Sequence, residues 1–270
     1  MHSSSDADTP FAAGYADGTI PVLVRRFGSW QVSLRRQALN EHELSRDYDR
    51  AAPRWHRALD RLGFPDAYEK VLRDVLRARA IPGQPRRVLD CGVGTGALSC
   101  ALSRVSSDPF RLDAIDISPR MLEQAQGRFR DCDLRGTLCL GDIRELPYGD
   151  GIFDLVMSAH VLEHLADPNI ALDEMIRVLK PGGVLVVCLT RRSLSGSFVN
   201  LKWRTHRTTP AQTERWLCNK GLEDVGCRSF GDRSLCRRLS VACIGSKPFD
   251  DIHAGAGTAG ARPIDGEQDE

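Results

Sequence analysis

The chain has 270 residues, of which 41% are hydrophobic and 27% are charged, and its formal net charge at pH 7 is +1. This length accommodates one α/β domain with additional segments. No stretch approaches the ~20 consecutive apolar residues of a membrane span, and the first residues lack the basic and apolar regions of a signal peptide. We therefore expect a soluble, cytoplasmic protein without a transmembrane segment.

Two segments are predicted before the central domain. Residues 1–19 are rich in Ser, Asp, Ala and Gly and are expected to be disordered. Residues 20–84 carry apolar side chains at helical spacing, such as Trp55, Leu59 and Leu62, and predict a helical amino-terminal extension.

An apolar strand that ends in Asp90 and runs directly into alternating glycines begins the central domain. The three glycines are Gly92, Gly94 and Gly96. Because glycine lacks Cβ, such a loop brings backbone amides close to a ligand at the start of a helix. The loop, with Asp116 about 20 positions further on, also satisfies the dinucleotide fingerprint, so by itself it leaves the identity of the nucleotide open.

Further strand and helix units follow at regular intervals. A second strand ends at Asp116, and Ser118 and Pro119 predict the start of the next helix. Short apolar strands are predicted to end near Asp142 and at Ser158. Residues 184–189 are apolar throughout, as expected for a parallel strand that is covered on both faces.

Five motifs in this order resemble those of the class I S-adenosylmethionine-dependent methyltransferases, of the type 11 group. They are VLDCGVGTG, AIDISPRML, GDIRELPY, FDLVMSAHVLEHL and RVLKPGGVLVV. The resemblance covers about residues 86–190 and implies an α/β fold: a Rossmann-like, seven-stranded, mostly parallel sheet with helices on both faces. Residues 224–229 and 239–244 are expected to supply its antiparallel carboxyl-terminal hairpin. The implied methyltransferase domain spans residues 85–246, the extension before it acts as a lid, and residues 247–270 form a disordered tail.

The resemblance also implies a set of residues that bind S-adenosylmethionine. They are Asp90, Gly92, Gly94, Gly96, Asp116, Ile117, Met121, Asp142, Ile143, Ser158 and Tyr48. Asp90 and the glycines would line the methionine portion, and Asp116 would accept hydrogen bonds from the ribose hydroxyls. Asp142 would accept one from the adenine amino group. Tyr48 would close over the methionine end.

Several of these residues have an ordinary structural explanation as well. An Asp after a strand is often a helix cap or a turn former. Met121 lies on an apolar helix face and also fits a core position. Ser158 is small enough to be selected by packing alone, and Tyr48 fits a packing role equally well.

The acceptor side is expected to follow the fourth strand and to include the long connection near residues 190–210. His160 is the candidate general base because it lies closest to the expected methyl position, although a surface or capping role is equally compatible. For His164 a structural role is favoured. The substrate-contact candidates in the connection are Trp203, Arg204, His206 and Arg207.

Charge is segregated along the chain. Residues 20–87 carry a net charge of +7 and residues 191–247 of +8, whereas the core at 88–190 carries −6. Basic segments beside the core favour an anionic acceptor or surface, although solvated arginines explain them as well. The nine cysteines form no CxxC pair and are expected to be reduced thiols, without a metal site.

The predicted function is transfer of a methyl group from S-adenosylmethionine to an O or N atom of a small molecule, as an enzyme of biosynthesis. A lipid-headgroup methyltransferase at a membrane surface and a noncatalytic cofactor-binding module are the alternatives. No nucleic acid partner is expected, because the sequence contains neither a base-binding motif nor an added recognition domain.

Overall fold

The computed structural model describes residues 19–37, 41–78, 86–165, 167–190, 209–230 and 240–249. Within them the chain forms strands, α-helices and one short 3-10 helix at Leu162–His164. The strands are β1 (Thr19–Phe27), β2 (Trp30–Gln37), β3 (Arg86–Cys91), β4 (Phe110–Asp116), β5 (Gly136–Leu140), β6 (Phe153–Ala159), β7 (Leu179–Thr190), β8 (Glu223–Ser229) and β9 (Ser240–Ser246). The helices are α1 (Glu41–Leu62), α2 (Phe64–Ala78), α3 (Ala97–Val105), α4 (Pro119–Asp131), α5 (Pro168–Val178) and α6 (Pro210–Asn219).

A seven-stranded sheet forms the centre of the protein, with strand order β5-β4-β3-β6-β7-β9-β8. The first five strands in this order are parallel, and β9 pairs antiparallel with both β7 and β8. Helices α2, α3 and α4 pack against one face, and α5 and α6 pack against the other. The predicted Rossmann-like fold with an antiparallel carboxyl-terminal hairpin is therefore confirmed.

The start of α4 has the predicted chemistry, and α6 begins with a similar cap. The Ser118 hydroxyl accepts a hydrogen bond from the Met121 amide, and Pro119 is the first residue of α4. Thr209 forms a capping box with Gln212 at the start of α6. At the amino-terminal ends of α4 and α6, side-chain oxygens therefore accept hydrogen bonds from amides that have no partner within the helix.

The prediction of helix throughout residues 20–84 is wrong for its first part. Strands β1 and β2 form an antiparallel hairpin around Gly28, which has a φ of +57°. The two runs are rich in β-branched and aromatic residues and flank a Gly-Ser pair, which is the composition of a β-hairpin. Helix begins only at Glu41 and continues through α1 and α2.

The expectation that the cysteines are reduced is corrected for four of them, whereas Cys91, Cys139, Cys188 and Cys218 are free thiols. The structure joins Cys100 to Cys132 and Cys227 to Cys243 by disulfide bonds. The second pair lies directly across β8 and β9. The partners are 32 and 16 residues apart in sequence, so only the folded topology brings them together.

The predicted tail is ordered at its start. The Lys247 backbone exchanges hydrogen bonds with Gly182 and Gly183, and its ammonium group donates to the carbonyl oxygens of Ile176 and Leu179. Lys247 therefore anchors the chain beside the end of α5. Residues 1–18 and 250–270 lie outside the described part of the chain, so disorder there stays a prediction. None of the described helices is long and apolar enough to cross a membrane.

Candidate functional site

The three glycines between β3 and α3 have different surroundings. A Cβ atom on Gly92 would overlap the Val161 side chain, and one on Gly96 would lie 2.9 Å from the Phe129 ring. Gly94 has a φ of +53°, and no atom lies within 4 Å of the position its Cβ would occupy. Packing within the protein therefore explains Gly92 and Gly96, whereas Gly94 borders open space from which a ligand can approach the backbone.

Asp90, the next-to-last residue of β3, has one carboxylate oxygen with a hydrogen-bond partner and one without. The residue is 1% exposed, and its Oδ2 accepts a hydrogen bond from the Ser99 hydroxyl at 2.5 Å. Its Oδ1 is buried and has no hydrogen-bond partner in the structure. Burial raises the pKa of Asp90 to about 7. The hydrogen bond from Ser99 lowers this pKa, and the negative charge of Asp116 raises it. This oxygen is therefore able to accept a hydrogen bond from a donor or cationic group of a ligand.

Asp116 lies at the end of the neighbouring strand β4 and faces the same loop. Its Oδ2 accepts a hydrogen bond from the Gly94 amide at 2.8 Å, and its Oδ1 accepts one from the Ser118 amide at 2.9 Å. Burial raises its pKa to about 6 against the lowering effect of these amides. A carboxylate oxygen can accept more than one hydrogen bond, so Asp116 retains capacity for ligand hydroxyls.

Helix α1 covers this part of the site. The Ser45 hydroxyl donates to the Ile117 carbonyl oxygen at 3.3 Å, and the Ser118 hydroxyl donates to Asp49 Oδ1 at 2.6 Å. The extension is therefore tied to the segment that joins β4 to α4.

Tyr48 lies on the covering helix between these contacts. Its ring meets the His164 ring edge to face, with the ring centres 5.4 Å apart. Burial raises the pKa of Tyr48 well above its ordinary value, and the negative charges of Asp116 and Glu163 raise it further. The phenol therefore lies near carboxylates from both halves of the site and stays neutral there.

Asp142 follows β5 and is held by a residue that the sequence reasoning did not single out. Arg144 binds both carboxylate oxygens through Nε, at 3.1 and 3.0 Å. Although burial acts in the opposite direction, hydrogen bonds and charge from Arg144 hold the pKa of Asp142 below its ordinary value. A ligand amino group at Asp142 would share the carboxylate with this guanidinium group.

His160 is the first residue after β6 and adopts a backbone conformation that is unusual for a residue other than glycine. Its φ is +59°, while its amide still donates to the Cys188 carbonyl oxygen at 2.8 Å and extends the pairing with β7. The Phe64 ring packs edge to face against the imidazole, with centres 5.4 Å apart. Strained backbone at the end of a parallel strand is characteristic of functional positions.

Glu163 anchors the imidazole from the 3-10 helix. Its Oε1 lies 3.2 Å from His160 Nδ1 and accepts hydrogen bonds from the Thr190 amide at 3.1 Å and the Thr190 hydroxyl at 2.7 Å. The other imidazole nitrogen, Nε2, lies 3.4 Å from the Ser240 hydroxyl. Burial favours neutral Glu163, but the hydrogen bonds and charges of His160, His164 and Thr190 together hold its pKa below the ordinary value.

One cavity connects the two groups of residues. Asp90, the loop at 92–95 and His160 all line it, together with Tyr68 from α2. The loop contributes a second buried atom without a hydrogen-bond partner, the Thr95 hydroxyl oxygen. The cavity therefore has a buried carboxyl group on the side of β3 and an imidazole on the side of β6.

Comparisons with known proteins agree with this architecture. A methyltransferase domain model matches residues 89–187. The malonyl-[acyl-carrier protein] O-methyltransferase of Herminiimonas arsenicoxydans is 34% identical over 199 residues, which cover 71% of this chain and 70% of that protein. The chain belongs to the class I S-adenosylmethionine-dependent methyltransferases.

Two further similarities are more limited. The ajmaline N-methyltransferase of Rauvolfia serpentina is 32% identical to this methyltransferase over 161 residues, 57% of this chain and 50% of that protein. The magnesium protoporphyrin IX methyltransferase of Synechocystis PCC 6803, solved with bound SAH, has a TM-score of 0.61 at 17% identity, covering 77% of this chain and all of that chain. This methyltransferase spans about half the length of several curated relatives that it matches.

The residues around the cavity fit the family's cofactor. The methionine end of S-adenosylmethionine carries an ammonium and a sulfonium group, and Asp90 Oδ1 is a buried anionic acceptor without a partner. The open space beside Gly94 leaves room for a ligand where a side chain would fill it. Asp90, the glycine loop and Asp116 would hold the cofactor in this methyltransferase.

Three of the predicted cofactor residues have partners or packing within the protein. Met121 and Ile143 are 1% and 6% exposed. The Ser158 hydroxyl donates to the Cys91 carbonyl oxygen at 2.8 Å, which ties β6 to β3. Their contacts with cofactor stay predictions, and the packing explanation accounts for Ser158.

The predicted substrate contacts lie outside the described residues of the methyltransferase. They are Trp203, Arg204, His206 and Arg207. In contrast, the structure brings Thr190 and Ser240 to His160, and sequence reasoning missed both. Thr190 ends an apolar strand and Ser240 begins another, so only the pairing of β7 with β9, which places the two opposite each other, identifies them.

Proposed function

We propose that this methyltransferase transfers the methyl group of S-adenosylmethionine to an oxygen or nitrogen atom of a small molecule in a biosynthetic reaction. The observation that supports this most directly is that His160 lines the same cavity as Asp90 and the glycine loop. A general base beside the methyl donor is useful only when the acceptor has a proton to lose.

The chemistry requires mainly placement. When bound, the cofactor supplies a methyl carbon made electrophilic by the sulfonium group. The protein aligns the acceptor with that carbon and removes its proton. Hydroxyl and protonated amine groups meet this requirement, in agreement with relatives that are named as O- and N-methyltransferases.

An anionic acceptor is supported by charge. The segments at 20–87 and 191–247 carry net charges of +7 and +8 and flank the −6 core in sequence. The substrate-contact candidates Arg204 and Arg207 belong to the second of these segments. Positive charge near a site attracts anionic ligands and raises their local concentration.

Product labelling tests the proposal. The protein is incubated with S-adenosylmethionine labelled in the methyl group and a metabolite extract, and labelled products are identified by mass spectrometry. We expect a labelled small molecule with a new O-methyl or N-methyl group, and less of that product with the Asp116→Asn variant at a limiting concentration of S-adenosylmethionine. Cofactor binding without any labelled product would instead indicate a noncatalytic cofactor-binding module.

A second candidate, methylation of a lipid headgroup at a membrane, is supported by the β-hairpin. Arg25 pairs with Val32 and Phe27 pairs with Trp30, so these four side chains share one face. Phe27, Trp30 and Val32 are 65%, 78% and 61% exposed. Residues 19–37 contain four arginines and no acidic residue. Exposed aromatic side chains beside arginines suit the interface of an anionic membrane.

Vesicle cosedimentation distinguishes this candidate from the first. We expect binding to vesicles that contain phosphatidylserine, weakening with salt, and loss of binding when Phe27 and Trp30 are both changed to Ser. Ile170→Ser, which alters a 50% exposed apolar residue on α5, is the matched control. Equal sedimentation of the hairpin variant and the control would eliminate the membrane candidate.

A further inference from the structure

His160 has different neighbours at its two ring nitrogens. On the Nδ1 side lies Glu163 Oε1, at 3.2 Å, and the carboxylate is 1% exposed. On the Nε2 side lies the Ser240 hydroxyl, at 3.4 Å, which is both a donor and an acceptor. The two nitrogens are therefore not equivalent, and the environment selects one tautomer.

The selection follows from what Glu163 accepts. The Thr190 amide and hydroxyl both donate to Oε1, at 3.1 and 2.7 Å, which favours the ionised carboxylate. An ionised carboxylate has no proton to donate, so a hydrogen bond with Nδ1 requires the proton to be on Nδ1. Nε2 then carries the lone pair.

The charged and titratable neighbours of His160 support this arrangement. Glu163 and His164 belong to the 3-10 helix, Tyr48 lies on α1, and Asp90 and Tyr68 line the shared cavity. Among them the carboxylate that approaches the ring within hydrogen-bonding distance is Glu163. An imidazolium formed during reaction would therefore be stabilised mainly by Glu163.

We propose that Glu163 and Thr190 are positioning residues that hold His160 with its proton on Nδ1, so that Nε2, beside Ser240, takes the proton of the methyl acceptor. This rests on the proposed methyl transfer. The acceptor proton passes to Nε2 while the acceptor atom bonds to the methyl carbon and the methyl–sulfur bond breaks, leaving its electron pair on a neutral thioether. The imidazolium then releases the proton to solvent.

The proposal restricts the acceptor class. The acceptor must present an O–H or N–H group within hydrogen-bonding distance of both Nε2 and the Ser240 hydroxyl. A tertiary amine has no proton to deliver to Nε2. Alcohols, phenols and protonated primary or secondary amines qualify.

Nuclear magnetic resonance of ¹⁵N-histidine-labelled protein tests the tautomer without any turnover. Loss of one signal in His160→Asn assigns the ring, because Asn tolerates the left-handed backbone found here. We expect the wild-type spectrum, recorded with bound SAH, to show Nδ1 protonated and Nε2 unprotonated. A wild-type ring with its proton on Nε2 would overturn the proposal, whatever the outcome of labelling with cofactor.

Variants then separate positioning from general stability. In Glu163→Gln we expect ring protonation to move to lower pH by about one unit, because the anionic partner is lost. Ser240→Ala should keep the proton on Nδ1, and Glu69→Gln on α2 is the matched control that should leave the ring unchanged. An unshifted titration in folded Glu163→Gln contradicts the proposal; if that variant fails to fold, the wild-type tautomer still decides.

Activity gives a second readout once an acceptor is known. We expect Glu163→Gln to lower kcat about 30-fold and to move the rising limb of the pH profile to lower pH, with the cofactor Kd within twofold. A tautomer as expected without any methylated product would overturn the proposed function and leave the positioning intact. Loss of kcat with an unmoved pH profile would indicate a purely structural Glu163.

Discussion

The cofactor side and the acceptor side of the site both contain carboxylates that are 1% exposed, yet their ionisation differs. Asp90 has its pKa raised to about 7, whereas the pKa of Glu163 is lowered. Each has one oxygen without a hydrogen-bond partner in the structure. The difference lies in the other oxygen, which receives one hydroxyl in Asp90 but an amide, a hydroxyl and an imidazole in Glu163.

The comparison teaches that burial alone does not decide the charge of a carboxyl group. On the acceptor side the protein supplies its own donors, so the network around His160 is preorganised. On the cofactor side Asp90 receives a single hydroxyl, so a cationic ligand beside it would favour its ionised form. The cofactor side is therefore expected to respond strongly to a cationic ligand, whereas the hydrogen bonds around Glu163 are formed without one.

The largest expected effect is at His160. His160→Asn should lower kcat about 10³-fold, because a general base contributes this order of magnitude. The cofactor Kd, measured by calorimetry, should stay within twofold, because His160 belongs to the preorganised side. An equal loss of cofactor affinity would remove the distinction between the two sides. Partial recovery of rate with added imidazole would strengthen it.

Asp116→Asn is the corresponding change on the cofactor side. We expect the Kd of S-adenosylmethionine to rise about 30-fold, because charge-assisted hydrogen bonds to the ribose hydroxyls become neutral ones. Asn retains an acceptor for the Gly94 or the Ser118 amide, so the fold should persist. Calorimetry measures the Kd, and circular dichroism checks the fold. An unchanged Kd would mean that the ribose lies elsewhere.

The sequence predicts much of the cofactor side and less of the acceptor side, for a physical reason. Asp90 and Asp116 lie at the carboxyl ends of β3 and β4, and Gly94 belongs to the loop after β3, so a local pattern of apolar run, acid and glycine marks them. Thr190 and Ser240 meet His160 only because β7 and β9 pair, and no local pattern encodes that meeting. The hairpin at Gly28 differs from the predicted helix because the helical spacing seen after residue 41 does not continue back across the Gly-Ser turn.

Asp90→Asn is expected to stabilise the protein without cofactor while it weakens binding. Between the ordinary pKa of 3.8 and the folded-state pKa of about 7, the folded protein holds a proton that the unfolded chain has lost. The wild-type stability therefore falls as pH rises through this range, whereas Asn does not titrate. At pH 8 the variant should melt about 5 °C higher, and the cofactor Kd should rise about tenfold.

Thermal unfolding at several pH values measures this effect. The difference in Tm between Asp90→Asn and wild type should grow from pH 4 to pH 7 and then level off. Asp66→Asn, at an exposed position of α2, serves as the control and should show no such growth. A pH-independent difference would show that the buried charge of Asp90 does not limit stability.

The smallest expected effect is at Gly94. Gly94→Ala adds a methyl group in open space but at a φ of +53°, so we expect about 1 kcal/mol of backbone strain. Because the methyl group borders the ligand space, the cofactor Kd should rise about fivefold. Gly127→Ala is the matched control: it lies inside α4 with no atom within 4 Å of the new Cβ, and it should stabilise the fold by about 1 kcal/mol. The same Kd for both variants would mean that the open space at Gly94 is not where the cofactor lies, and that the unpartnered oxygen of Asp90 faces some other ligand.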